Sequence, residues 1–126
     1  YICKNSARQK AMNTDAFVRA VTENRIDVLT HPGFRIDVDL KAIGEACAAV
    51  GTYMELSSRH RPPDLKGAET AANAGAKFIL NSDAHKPALV GKCDYALELA
   101  DKLGLGEDEV VNVSDRPVVF RRGLEV

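Results

Sequence analysis

The sequence predicts an α/β fold of alternating parallel β/α units, and three observations carry that prediction. Short apolar runs alternate with longer amphipathic ones along the 126 residues. The first two apolar runs are brief and near-continuous, as in strands covered on both faces. The histidines and acidic residues of chemical interest follow the apolar runs at their carboxyl ends, where βα-barrels and open α/β sheets both build their sites.

The elements follow in order. Asn13-Thr14-Asp15 predicts a helix start, with Ala16, Phe17, Ala20 and Val21 at helical spacing up to about Asn24. Ile26-Asp27-Val28-Leu29 reads as a strand that leads to His31. Asp39 is placed to cap the next helix, whose apolar stripe is Leu40, Ile43, Ala46, Cys47 and Val50, and Gly51 ends it. Thr52 to Leu56 reads as a second strand, followed by a polar loop through Arg61-Pro62-Pro63. A helix from about Asp64 to Asn73 ends at Gly75. Lys77 to Leu80 is the third strand, ending at Asn81-Ser82-Asp83. The last helix runs from about Lys92 to Leu103 and stops at Gly104. Glu107 to Val111 reads as one more helical turn leading to Val111-Asn112-Val113, and the tail carries a β-type run, Val118-Val119-Phe120.

Bulk properties narrow the function. At 45% hydrophobic residues the chain has enough apolar matter for one packed domain. A formal net charge of −1 gives no electrostatic reason to expect nucleic acid or an anionic membrane as the main partner. No apolar run is long enough to span a bilayer, and Tyr1-Ile2-Cys3-Lys4-Asn5 lacks the apolar stretch of a signal peptide. Cys3, Cys47 and Cys93 are odd in number and far apart, with no Cys-x-x-Cys. Reduced thiols in a cytoplasmic protein are therefore expected, with Cys47 a small core residue, and no disulfide framework or thiolate zinc site. Starting at Tyr1 rather than Met, the sequence is expected to be a piece of something longer or to have a trimmed start.

The candidate chemistry lies at the carboxyl ends of the three strands. Asp83 and His85 are two apart, so in an extended segment both would point to one side. A carboxylate and an imidazole suit zinc, manganese or iron, and His31 occupies the corresponding place two strands away. Pro32 is expected to keep His31 extended, and Gly33 allows a sharp turn after it. Glu55 near the end of the second strand either orients a ligand histidine or pairs with an arginine. Arg59-His60-Arg61 either receives a substrate phosphate, since arginine forks match phosphate oxygens, or is a solvated charged loop. Lys86 is a lesser candidate beside His85.

These residues make the chain resemble the PHP family, the polymerase and histidinol phosphatase domains. Ile26 to Gly33 is similar to the family's strand ending in His-Pro. Tyr53-Met54-Glu55-Leu56 is similar to its Leu-Glu-Ile-Asn segment, though Ser57-Ser58 departs from the pattern. Asn81-Ser82-Asp83-Ala84-His85 resembles its Ser-Asp-Ala-His signature, Val90-Gly91 the Leu-Gly after it, and Gly104 with Val111-Asn112-Val113-Ser114 the family's ending. The ordered match runs from about Asn13 to Ser114 and looks closest to small stand-alone bacterial phosphatases.

The resemblance implies that residues 1–126 are the C-terminal portion of a PHP domain, part of a distorted, TIM-barrel-like (β/α)7 barrel. It implies hydrolysis of a small phosphomonoester by metal-activated water, with up to three divalent ions (zinc, manganese or iron) in the complete domain. His31, Asp83 and His85 would be the metal ligands and catalytic residues, each serving a different ion. The family's N-terminal His-x-His is absent from this sequence, which has three histidines in all, so the ligand set here is incomplete. The rest of the domain, or another copy, would have to complete it and cover the open sheet edges. Two other readings stay open: a non-catalytic, self-associating structural piece, and the PHP module of a DNA polymerase with exonuclease activity.

Overall fold

A computed structural model describes residues 7–61 and 63–121, so Cys3, Pro62 and the opening residues lie outside the described part. The element order is α1 (Ala7–Glu23), β1 (Val28–Leu29), α2 (Leu40–Val50), β2 (Tyr53–Ser57), α3 (Leu65–Asn73), β3 (Phe78–Asn81), a 3-10 turn (Pro87–Leu89) and α4 (Asp94–Lys102). The strands form one parallel sheet in the order β1-β2-β3. The fold is thus α/β with alternating helices. A closed barrel is not seen among the described residues.

Several elements start where local chemistry requires. Asp39 accepts hydrogen bonds from the Lys41 and Ala42 N–H groups at 3.0 and 3.3 Å, and Gly51 ends α2 at φ 77°, a left-handed position that glycine occupies at little cost. Asp64 caps α3 through Gly67 N–H at 2.8 Å. α2 and α3 pack closely at Gly44, where a Cβ would stand 3.1 Å from the Ala71 backbone.

Four predicted boundaries are corrected. α1 is already under way at Asn13-Thr14-Asp15. Those polar residues do not start the helix; they dock it. The Thr14 hydroxyl donates to Lys10 O at 2.8 Å and accepts Asp39 N–H at 2.9 Å, while Asn13 Nδ2 donates to Asp37 O. β1 is shorter than Ile26–Leu29, because Ile26 N–H turns back to Asn24 O at 3.1 Å. α4 starts at Asp94, two residues after Lys92, because Lys92 N–H is still engaged with Leu89 O in the preceding turn. The run Val118-Val119-Phe120 reduces to a single bridge position at Val119.

The outer edge of β3 is covered from within the chain. Phe78 N–H donates to Glu109 O at 2.7 Å, and Val111 N–H to Phe78 O at 2.9 Å. Beyond that bridge the Asn112 side chain takes over, accepting Leu80 N–H and donating to Leu80 O, both at 2.9 Å. A side-chain amide here does the work of one more strand residue, which answers the edge problem on this side.

The core is built on Phe78, Ile43, Met54, Leu56 and Val21, all fully buried. Each such side chain contributes about 1.5–3 kcal/mol by leaving water. Among the described residues no helix is long and apolar enough to cross a membrane.

Candidate metal centre

The three strands end on one side, and their following loops bring His31, His60 and Asp83 together. One potential ligand atom from each lies within 4.8 Å of the others. Donors about 2.1 Å from a common ion in tetrahedral arrangement stand about 3.4 Å apart, so side-chain shifts of about 1 Å close the set. The loop after β2 carries His60 inward because Ser57 Oγ, itself buried, accepts both Arg59 N–H and His60 N–H at 3.2 and 3.1 Å. The His31 and His60 rings meet edge-on at 4.6 Å, and Phe34 packs against both.

Whether these residues fit a cation is tested by Asp83. Its Oδ2 lies 3.0 Å from His60 Nε2, yet it is buried and no hydrogen-bond donor is aligned on it. A buried carboxylate oxygen without a donor costs free energy. A divalent ion shared with the imidazole nitrogens would remove that cost, and two histidines with one carboxylate suit zinc or manganese. The residues fit.

A hydrogen-bond chain centred on the buried Glu55 holds the two ends of this site. Glu55, 1% exposed at the middle of β2, accepts the His31 backbone N–H on Oε2 at 2.7 Å. Its Oε1 accepts Asn81 Nδ2 at 2.5 Å, and Asn81 Oδ1 accepts Asp83 N–H at 3.2 Å. One carboxylate therefore links the loop after β1 to the loop after β3. Both residues so held are strained. His31 has φ 24° and Asp83 φ 46°, two of the three non-glycine residues with positive φ among those described. Such conformations cost about 1–3 kcal/mol each and persist where surrounding bonds over-determine them.

That strain corrects two expectations. His31 is not extended before Pro32: the Glu55 carboxylate holds its N–H while Phe34 N–H closes a turn on His31 O. The segment from Asp83 to His85 is not extended, because Asp83 turns left-handed, although His85 Nδ1 still lies 3.7 Å from Asp83 Oδ1. His85 Nδ1 instead bonds the Asp83 carbonyl at 2.8 Å, with its side chain 56% exposed, outside the trio.

The remaining candidates separate. His60, read in the sequence as a phosphate contact, joins the metal-type trio. Arg61 lies over the Tyr95 ring at 4.2 Å. Arg59 lines a cavity of about 340 Å³ that Asp83 also borders. Lys86 is exposed. The sequence did hold a signal for His60: all three histidines follow a strand within four residues.

No protein-family model matches the chain. It is 28% identical over 114 residues to a probable phosphatase of Shewanella sp. strain ANA-3, covering 83% of this chain and 45% of that protein. A probable phosphatase of Yersinia enterocolitica is 28% identical over 118 residues, 86% of this chain and 48% of its own length. The probable phosphatase YcdX of Escherichia coli strain HS is 27% identical over 116 residues, 85% and 47% respectively. The chain thus spans about half the length of the curated relatives it matches, all three of which are named probable phosphatases.

Proposed function

We propose that this chain is the C-terminal portion of a PHP-type, metal-dependent phosphomonoesterase, in which His31, His60 and Asp83 hold one divalent ion. The observation that carries the reading is the convergence of two imidazoles on a buried carboxylate oxygen that has no aligned donor. The relatives named probable phosphatase support the reaction class.

The ion would supply a Lewis acid for the phosphate oxygens and an activated water. This chain's own residues do the positioning. Glu55 and Asn81 fix the backbone at His31 and Asp83, and Phe34 seats the two imidazoles. His85 stands next to the trio and would serve a further ion. The complete domain, a distorted (β/α)7 barrel holding up to three ions, would draw its other ligands from outside residues 1–126.

Metal uptake tests the reading directly. The chain, freed of metal and dialysed against zinc or manganese, is expected to retain about one equivalent. His31→Ala and His60→Ala are expected to lose it, and His85→Ala to keep it. In the longer parent protein, turnover of a chromogenic phosphomonoester is expected to need metal and to vanish in Asp83→Ala. Metal-independent turnover, or an Asp83→Ala variant as active as wild type, would refute the assignment.

A further inference from the structure

The trio borders a cavity of about 340 Å³ between the loop after β2 and the entry to α4. Asp83 forms its wall on the trio side; Arg59, Lys92, Ser58, Ser82, Leu89, Asp94 and Tyr95 complete the lining. Arg59 and Lys92, both exposed, form no ion pair or side-chain hydrogen bond among the described residues. Arg59 and Lys92 balance the carboxylates of Asp83 and Asp94 in the lining, and their N–H groups are available to a phosphate held beside Asp83. The opposite wall is braced: Ser58 Oγ accepts Ala96 N–H at 3.1 Å, tying the β2 loop to α4, and the Arg61 guanidinium rests on Tyr95.

We propose that this cavity is the substrate seat and that its occupant is a compact, hydroxyl-bearing phosphomonoester of the sugar-phosphate type. Arg59 and Lys92 hold the phosphate next to Asp83. Ser82 and the Asp94 carboxylate meet hydroxyl groups, and Leu89 with the Tyr95 ring flank the carbon skeleton. The volume suits a small molecule, and a carboxylate in the lining favours hydroxyl donors over a second anionic group. The proposal rests on the phosphoesterase reading for its reaction, but the seat itself is an anion site testable without turnover.

The experiment is a binding titration of this chain, with and without manganese, using inorganic phosphate and glucose 6-phosphate as probes. Arg59→Gln and Lys92→Gln are each expected to weaken both probes about tenfold, while metal uptake measured without phosphate stays at the wild-type level. Arg116→Gln, distant from the cavity, is expected to change nothing. Asp94→Asn is expected to weaken glucose 6-phosphate several-fold without weakening inorganic phosphate. The seat is overturned if Arg59→Gln/Lys92→Gln binds phosphate within twofold of wild type, or if wild type binds neither probe. Equal effects of Asp94→Asn on both probes overturn the hydroxyl assignment. Failure of metal uptake alone, with phosphate binding intact and sensitive to Arg59, would strike the metal reading and leave the seat standing.

Discussion

The two ends of the parallel sheet treat their polar groups in opposite ways. At the amino end several side chains tie one element to another. Arg121 Nη1 donates to Val21 O and Asn24 O at 2.8 and 2.9 Å, a cation over the carboxyl terminus of α1. Tyr53 donates its hydroxyl to Val119 O at 2.6 Å, and Thr52 to Ile26 O at 2.8 Å. At the carboxyl end two ligand-type residues sit at positive φ, and a buried Asp83 oxygen lacks an aligned donor. The amino end even has the larger cavity, about 400 Å³ beside Arg121 and Lys77 against 340 Å³ beside Asp83. Size therefore does not locate chemistry. Backbone strain beside converging ligand-type atoms does, because a fold tolerates strain only where other bonds impose it.

Variants that separate the two ends put this contrast at risk. The largest effect is expected at Asp83. Asp83→Asn is expected to lower zinc affinity at least about 100-fold, since an anionic ligand is lost, while urea unfolding shows stability equal to or above wild type. A strongly destabilised Asp83→Asn would mean that the carboxylate serves the fold after all. Glu55→Gln should touch both properties. It sets an amide N–H against a donor, so metal affinity is expected to fall about 10–100-fold and stability by about 1–3 kcal/mol. A change in only one of the two would break the link drawn between β1 and β3.

Arg121→Met is the converse case. Removing the donor from the Val21 and Asn24 carbonyls is expected to cost about 1–3 kcal/mol with metal uptake unchanged; a loss of metal would blur the division between the ends. Gly44→Ala, midway between them, is expected to cost about 1–2 kcal/mol because the new Cβ meets the Ala71 backbone. Stabilisation instead would show that α2 and α3 separate freely. The smallest effect concerns pH. Burial pushes the Cys47 thiol up to about 11 from an ordinary 9.0, so the unfolded chain ionises it first. Its contribution is complete below pH 9 and is lost as pH rises towards about 11. Cys47→Ala should lack that component of the alkaline decline. In the native chain at pH 8, a thiol reagent should reach Cys93 ahead of Cys47, which is fully buried; equal rates would contradict the packing of α2.

Much of the frame was legible beforehand because it depends on local chemistry. Asp39, Gly51 and Asp64 end or start helices through bonds to neighbours two to four residues away. The three strands announced themselves by apolar runs, and their carboxyl ends located the site loops. What misled was long-range. Asn13 and Thr14 looked like a helix start but spend their hydrogen bonds on residues 37–39. Asp83 and His85 were expected to meet through an extended segment; Asp83 is left-handed instead, and His85 Nδ1 still lies 3.7 Å from Asp83 Oδ1. His60 sat among arginines and read as a phosphate contact; only the bend imposed by Ser57 turns its ring to His31.

By itself, the sequence determined the α/β order, the strand ends that bear chemistry, and the choice of imidazole and carboxylate there. Periodicity and capping act over one or two turns, so they can be read from neighbours alone. The tertiary structure decided which residues converge, setting His60 beside His31 and Asp83, and how Glu55 and Asn81 hold His31 and Asp83 across three strands. The two bonds that Glu55 accepts join residues 24 and 26 positions apart, and their geometry exists only once the sheet has set its register.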